Sequence, residues 1–155
     1  MGKIMKETIL RRELQLTEDH HQTNIKLPFD VIEPASKLTI HFAYDPDEAE
    51  EEVAKEKILA ALQRFVPEGE QKKWGNIERY LPLKNLITLS LNYEETYIGA
   101  HHRKENRQTI VISEHGSDKG FVKQAIDAGD WEIQLNAHCI ATKEVNVSVQ
   151  VEVER

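Results

Sequence analysis

The sequence predicts a mainly β chain: an antiparallel two-sheet β-sandwich, jelly-roll-like, with one long α-helix inserted at about residues 46–66. Two observations carry this prediction. Val145, Val147, Val149, Val151 and Val153 alternate without a break against Asn146, Ser148, Gln150 and Glu152, and Trp131, Ile133 and Leu135 alternate with Glu132, Gln134 and Asn136. A period of two means one buried and one wet face, which is how an antiparallel strand packed on an apolar layer reads. The second observation is the absence of a βαβ rhythm, which leaves a sandwich as the way to bury so many one-sided strands.

The first strand is expected at Glu7–Thr17, where Leu10, Leu14 and Leu16 share a parity that Arg12 interrupts. Thr23–Val31 follows a polar turn and carries Ile25, Leu27 and Phe29 on one side. Pro28 has no N–H for a ladder, so this strand belongs at a sheet edge or a bulge. Lys37–Tyr44 sets Leu38, Ile40, Phe42 and Tyr44 against Thr39, His41 and Ala43. Asp45-Pro46 reads as a helix start, with Asp as N-cap and Pro at the first helical position. Acidic residues from Asp47 to Glu52 suit the positive end of the helix dipole, and Ala54, Ile58, Leu62, Phe65 and Val66 form the apolar stripe. Residues 67–83 read as a loop containing Trp74. Leu86–Tyr93 is a strand, Glu94–Asn106 a polar, turn-like segment around Gly99, and Gln108–Glu114 another strand with Ile110 and Ile112 inward. Phe121–Ile126 fits either a short strand or one helical turn. Residues 1–155 are expected to form a single domain.

Composition narrows the function. The net charge is −7, so the mean field repels nucleic acid and anionic membranes, and neither is expected as a partner. Arg11-Arg12 and Arg103-Lys104 are the local basic exceptions, too short to argue a nucleic-acid surface. No run is long enough to span a bilayer and the first residues have no apolar core of signal-peptide length. A single cysteine, Cys139, fits a reducing compartment, and a soluble, cytoplasmic protein is expected.

The chain has seven histidines but no HxH, HExxH or CxxC spacing, so neither metal nor cofactor is expected. No Gly-x-Ser-x-Gly elbow occurs, Gly116-Ser-Asp-Lys-Gly120 has the glycines of a phosphate loop without Walker spacing, and no catalytic residue is assigned. The candidate ligand-binding residues are Trp74 and Tyr97, as loop aromatics, with His41, His138 and Gln134 on polar strand parities that could line one concave face. Three readings follow: a non-catalytic binding or interaction domain, a carbohydrate or small-ligand module, and a small hydrolase using His41, His138 and a carboxylate with a metal.

Three segments together resemble one family. They are Asn24–Val31 followed by Leu38–Pro46, then Asn85–Leu91 with Tyr97–Ala100, and lastly Ile126–Leu135 with its Gly-x-Trp strand. In this order they are similar to the N-terminal β-sandwich domain that precedes the catalytic domain of some PHP-type metal-dependent phosphoesterases. That catalytic domain begins with an Asp-Leu-His-x-His type motif, and no residue here corresponds to its ligands. The resemblance therefore implies the accessory domain alone, free-standing or part of a longer chain. The expected partners are another protein, a phosphoesterase domain, or a second copy of the chain.

Overall fold

A computed structural model of the chain describes residues 5–67, 80–101 and 105–155. Among these the strands are β1 (Lys6–Thr17), β2 (Thr23–Val31), β3 (Lys37–Asp45), β4 (Leu86–Tyr93), β5 (Thr96–His101), β6 (Arg107–Ser113), β7 (Gly129–Cys139) and β8 (Glu144–Glu154). One α-helix, α1 (Glu51–Phe65), lies between β3 and β4. The strands form two four-stranded antiparallel sheets, ordered β1-β8-β3-β6 and β2-β7-β4-β5. This interleaving, in which the chain crosses between sheets at almost every connection, is the jelly roll.

The two segments with the cleanest alternation are the central strands. β8 is paired on both sides, by β1 and β3, and β7 by β2 and β4. They are neighbours in sequence but lie in different sheets. All five β8 valines are at most 2% exposed, and they face Ile133 and Leu135 of β7 across a shared core. Each such side chain contributes roughly 1.5–3 kcal/mol relative to leaving it in water. β2 is an edge strand, as Pro28 requires, and Trp131 is core.

Three expectations are corrected. The helix does not begin at Asp45-Pro46. Asp45 is still in the ladder, opposite Asn146, and the next residues are tied to the approach to β4: Asn85 N–H donates to Asp47 O at 2.9 Å and Ala49 N–H to Leu83 O at 2.9 Å. Helical bonding starts only once these are made, so the N-cap is Glu50, without a side-chain cap. The apolar stripe is also shorter than its spacing promised. Ala54 and Ile58 are buried, and the Ala54 end of the helix packs with Ala49, Ala141, Leu81 and Leu83, whereas Phe65 is 73% exposed beneath the Arg64 guanidinium. Finally, the segment after β4 is not all turn. Glu94 and Glu95, both at positive φ, make a two-residue hairpin turn into β5, where a bulge at Ile98 breaks the alternation.

Phe121–Ile126 is neither strand nor helix. It belongs to a strap that crosses the flank between the edge strands β6 and β5, with single bridges Ile112–Ser117, Gly99–Phe121 and Ala35–Ile126. Phe121 and Ile126 bury their side chains in the core.

A buried amide joins the helix end of the sandwich to the β7–β8 turn. Asn85, 1% exposed, donates to Pro46 O at 2.8 Å and Thr142 Oγ1 at 3.0 Å, and accepts from Ala141 N–H at 2.6 Å. Asn85→Ala would strand those groups, and a loss of about 2 kcal/mol in urea denaturation is expected. A loss near zero would mean that water replaces the amide.

Candidate functional site

The structure divides the predicted residues between two faces. Gln134 and His138 project from the outer face of the β2-β7-β4-β5 sheet, and Tyr97 stands on the same face, opposite Asn92, itself opposite Glu132. They do not form a cluster. Glu132 and His138 are six residues apart on β7, or about 20 Å. The histidine end is internally satisfied: Thr88 Oγ1, on a residue 2% exposed, lies 2.8 Å from His138 Nε2, and Gln134 donates to Asn136 Oδ1 at 2.8 Å. Trp74 lies outside the described residues.

His41 lies on the other sheet. It projects outward from β3, 3.4 Å from Glu152 Oε2, so the whole core separates it from His138. The expected shared concave surface is therefore corrected: neighbouring parities matched, but the strands belong to different sheets. These two imidazoles cannot hold one ion. Among the described residues no three His, Cys, Asp or Glu side chains converge as metal ligands would. The adjacent pair His20-His21 serves the backbone, each Nδ1 accepting an N–H, from Thr17 and Ile140 respectively, at 3.0 Å. Cys139 is half-buried; burial pushes its thiol up, with Lys57 pulling slightly the other way, so the reactive thiolate is disfavoured.

The turn end of the Tyr97 face is acidic. Asp30 and Asp130 are paired across β2 and β7, beside Glu94, Glu95 and Glu132 around a hollow of about 550 Å³. The hydrogen bond with Asp130 holds the Asp30 carboxyl above its ordinary 3.8, reinforced by desolvation and by the Asp130 charge. A raised folded-state pKa means that repulsion is absent below pH 3.8 and grows as pH rises through the folded value. Asp30→Asn is therefore expected to raise the thermal midpoint slightly at about neutral pH and to leave it unchanged in acid below the ordinary carboxylate range. Calorimetry at the two pH values checks this; equal midpoints at neutral pH would show that the pair carries no repulsion.

A polar groove that sequence reasoning missed lies on the outer face of the β1-β8-β3-β6 sheet. Register builds it in two rows: Arg11–Gln150–His41–Thr109, then Glu13–Ser148–Ala43–Arg107. Small Ser148 and Ala43 in the second row keep the floor low, while the longer side chains of Arg11 and Arg107 stand on the outer strands. The resulting hollow is about 540 Å³, and an adjoining one of about 450 Å³ continues it towards Asn146 and Asp45. Arg11 donates to Gln150 Oε1 at 3.4 Å, leaning inward over β8. The polar parity of β8 was legible from sequence, but the partners it would meet were not. Compared with known proteins, the chain matches no protein-family model and no curated protein sequence.

Proposed function

We propose that the chain is a non-catalytic jelly-roll binding domain that meets its ligand across the outer face of the β1-β8-β3-β6 sheet. The observation that carries this reading is the pair of adjoining hollows on that face, which share Glu13, Ala43, Arg107 and Ser148 and so form one open groove. Binding grooves are concave, with a few placed polar groups, and this one has hydroxyl, amide, imidazole and guanidinium groups over a low floor. The resemblance to the accessory sandwich of PHP-type phosphoesterases supports the same reading, since that domain accompanies chemistry performed elsewhere in the enzyme.

A fragment screen read by amide chemical shifts tests the proposal. Hits are expected to perturb Ala43, Thr109, Ser148 and Gln150 together. Hits confined to the other sheet, or metal-dependent hydrolysis of a phosphate ester by the purified chain, would overturn it. The carbohydrate reading rests on Tyr97, 61% exposed on the other sheet. It predicts oligosaccharide shifts at Tyr97, Asn92 and Glu132 instead.

A further inference from the structure

We propose that the groove on the β1-β8-β3-β6 face binds a small ligand by a phosphate or carboxylate group, held between Arg11 and Arg107. This rests on the reading of that face as the binding surface and names what it takes.

The first argument is charge. The chain has 27 acidic side chains against 20 Lys and Arg, yet Arg11, Arg107 and His41 stand over the hollow, with the carboxylate of Glu13 in it and that of Glu152 beside His41. Glu152 is already engaged by His41 and by Gln150, so the two guanidiniums face one uncommitted carboxylate in a protein whose mean field is negative.

The second argument is unused donor capacity. Several cations elsewhere are met: Arg155 by Glu7 and Glu33, Lys37 by Glu154 at 3.2 Å. The guanidinium of Arg107 makes no hydrogen bond or ion pair with a described residue, and Arg11 has only its long contact to Gln150. A guanidinium carries five N–H donors in a rigid fork that fits a carboxylate or phosphate with two parallel bonds. Such a fork recognises an anion better than a neutral hydroxyl.

The third argument is placement. Arg11 and Arg107 stand on the two outermost strands, three strand spacings across and one row apart, or about 16 Å at the backbone. Arginine side chains extended over Ser148 and Ala43 from these two strands can close on a small anion between them. Gln150, Thr109 and Ser148 line that space and supply neutral hydrogen-bonding groups. The floor has no exposed aromatic for a sugar ring to stack on.

The experiment is a chemical-shift titration of the full chain at low ionic strength, first with inorganic phosphate and then with citrate. Saturable shifts at His41, Thr109, Ser148 and Gln150 are expected. Arg107→Gln and Arg11→Gln should each weaken binding about tenfold, the loss of one charge-assisted pair. Lys26→Gln, on the opposite sheet, should not. Raising the salt should weaken the interaction, because the site is open to screening. Both arginines are exposed, and well-dispersed spectra of the variants will confirm that they fold. Saturation by phosphate alone identifies a phosphoryl ligand and by citrate alone a polycarboxylate; either supports the proposal. No saturation by either anion, or saturation indifferent to both arginine variants, overturns it. If anions fail while neutral fragments still map to the groove, the binding face stands and this ligand class falls. If neither maps there, both readings fall.

Discussion

Gly99→Ala is expected to destabilise the protein by about 3 kcal/mol, lowering the thermal midpoint by roughly 6–12 °C for a chain of this size. Two independent causes act at this position. Gly99 sits at φ +151, a backbone conformation that L side chains rarely adopt. A Cβ there would also lie 2.2 Å from Gly120 O and 2.6 Å from Phe121 Cα, and both are backbone atoms that no rotamer change can move aside. The strap crosses β5 at this point, held by Ala100 N–H to Gly120 O at 3.2 Å and Val122 N–H to Ile98 O at 2.8 Å. Alanine must therefore lift the strap from the strand, loosening Phe121 and Ile126 from the core. Gly116→Ala is the control, because a Cβ there meets nothing within 4 Å. Urea denaturation of both variants checks the expectation. Equal stability of the two would show that the strap docks without the close approach at Gly99.

These same residues show why β5 was invisible in the sequence. A two-residue hairpin turn is signalled by Asn-Gly or Asp-Gly, and Glu94-Glu95 carries no such signal. The turn is held instead by long-range bonds, Glu94 N–H to Asp130 O and Asp130 N–H to Glu94 Oε1, both 2.9 Å. The bulge at Ile98 then spoils the period that would have revealed the strand. By contrast, β8 was legible to its last valine, because a strand paired on both sides and buried on one face has every residue's environment set by parity. The helix start was misread for the opposite reason. Asp45-Pro46 has the local chemistry of a cap, but pairing of Asp45 with Asn146 and of Ala49 with Leu83 overrides it.

The candidate groove lies further still from what periodicity encodes. Arg11 and Arg107 are far apart in the sequence and are brought to one face only through β8 and β3. Parity places each side chain on an outer face, but strand order decides which outer face. His41 and His138 show the cost of lacking that order: both were placed on polar faces, and those faces belong to different sheets.

Trp131→Ala is expected to cost about 3–5 kcal/mol, the range for removing a fully buried large aromatic. Trp131 is 1% exposed, and its ring lies 4.4 Å from that of Tyr93 and 6.3 Å from that of Phe29, centroid to centroid. It also closes the turn that leads into β7. Its indole N–H donates to Asp127 O at 3.1 Å, while Tyr93 Oη–H donates to Ala128 O at 3.1 Å. These two bonds hold the chain so that Gly129, at φ +143, lets Glu94 reach the N–H of Asp130. Losing the indole thus empties a core site and frees the anchor of the β4–β5 hairpin at once. Trp131→Phe separates the two effects, because a phenyl ring restores most of the packing but cannot donate to Asp127; about 1–2 kcal/mol is expected from the stranded carbonyl and the smaller ring. Far-UV circular dichroism in urea is the measurement, since the substitution removes one of only two tryptophans and with it a fluorescence reporter. Because Tyr93 touches the same ring and the same turn, Tyr93→Phe combined with Trp131→Phe should cost less than the two singles together. Strict additivity would mean that the two donors hold the turn independently, and a Trp131→Ala cost below about 1 kcal/mol would mean that the core closes over the gap.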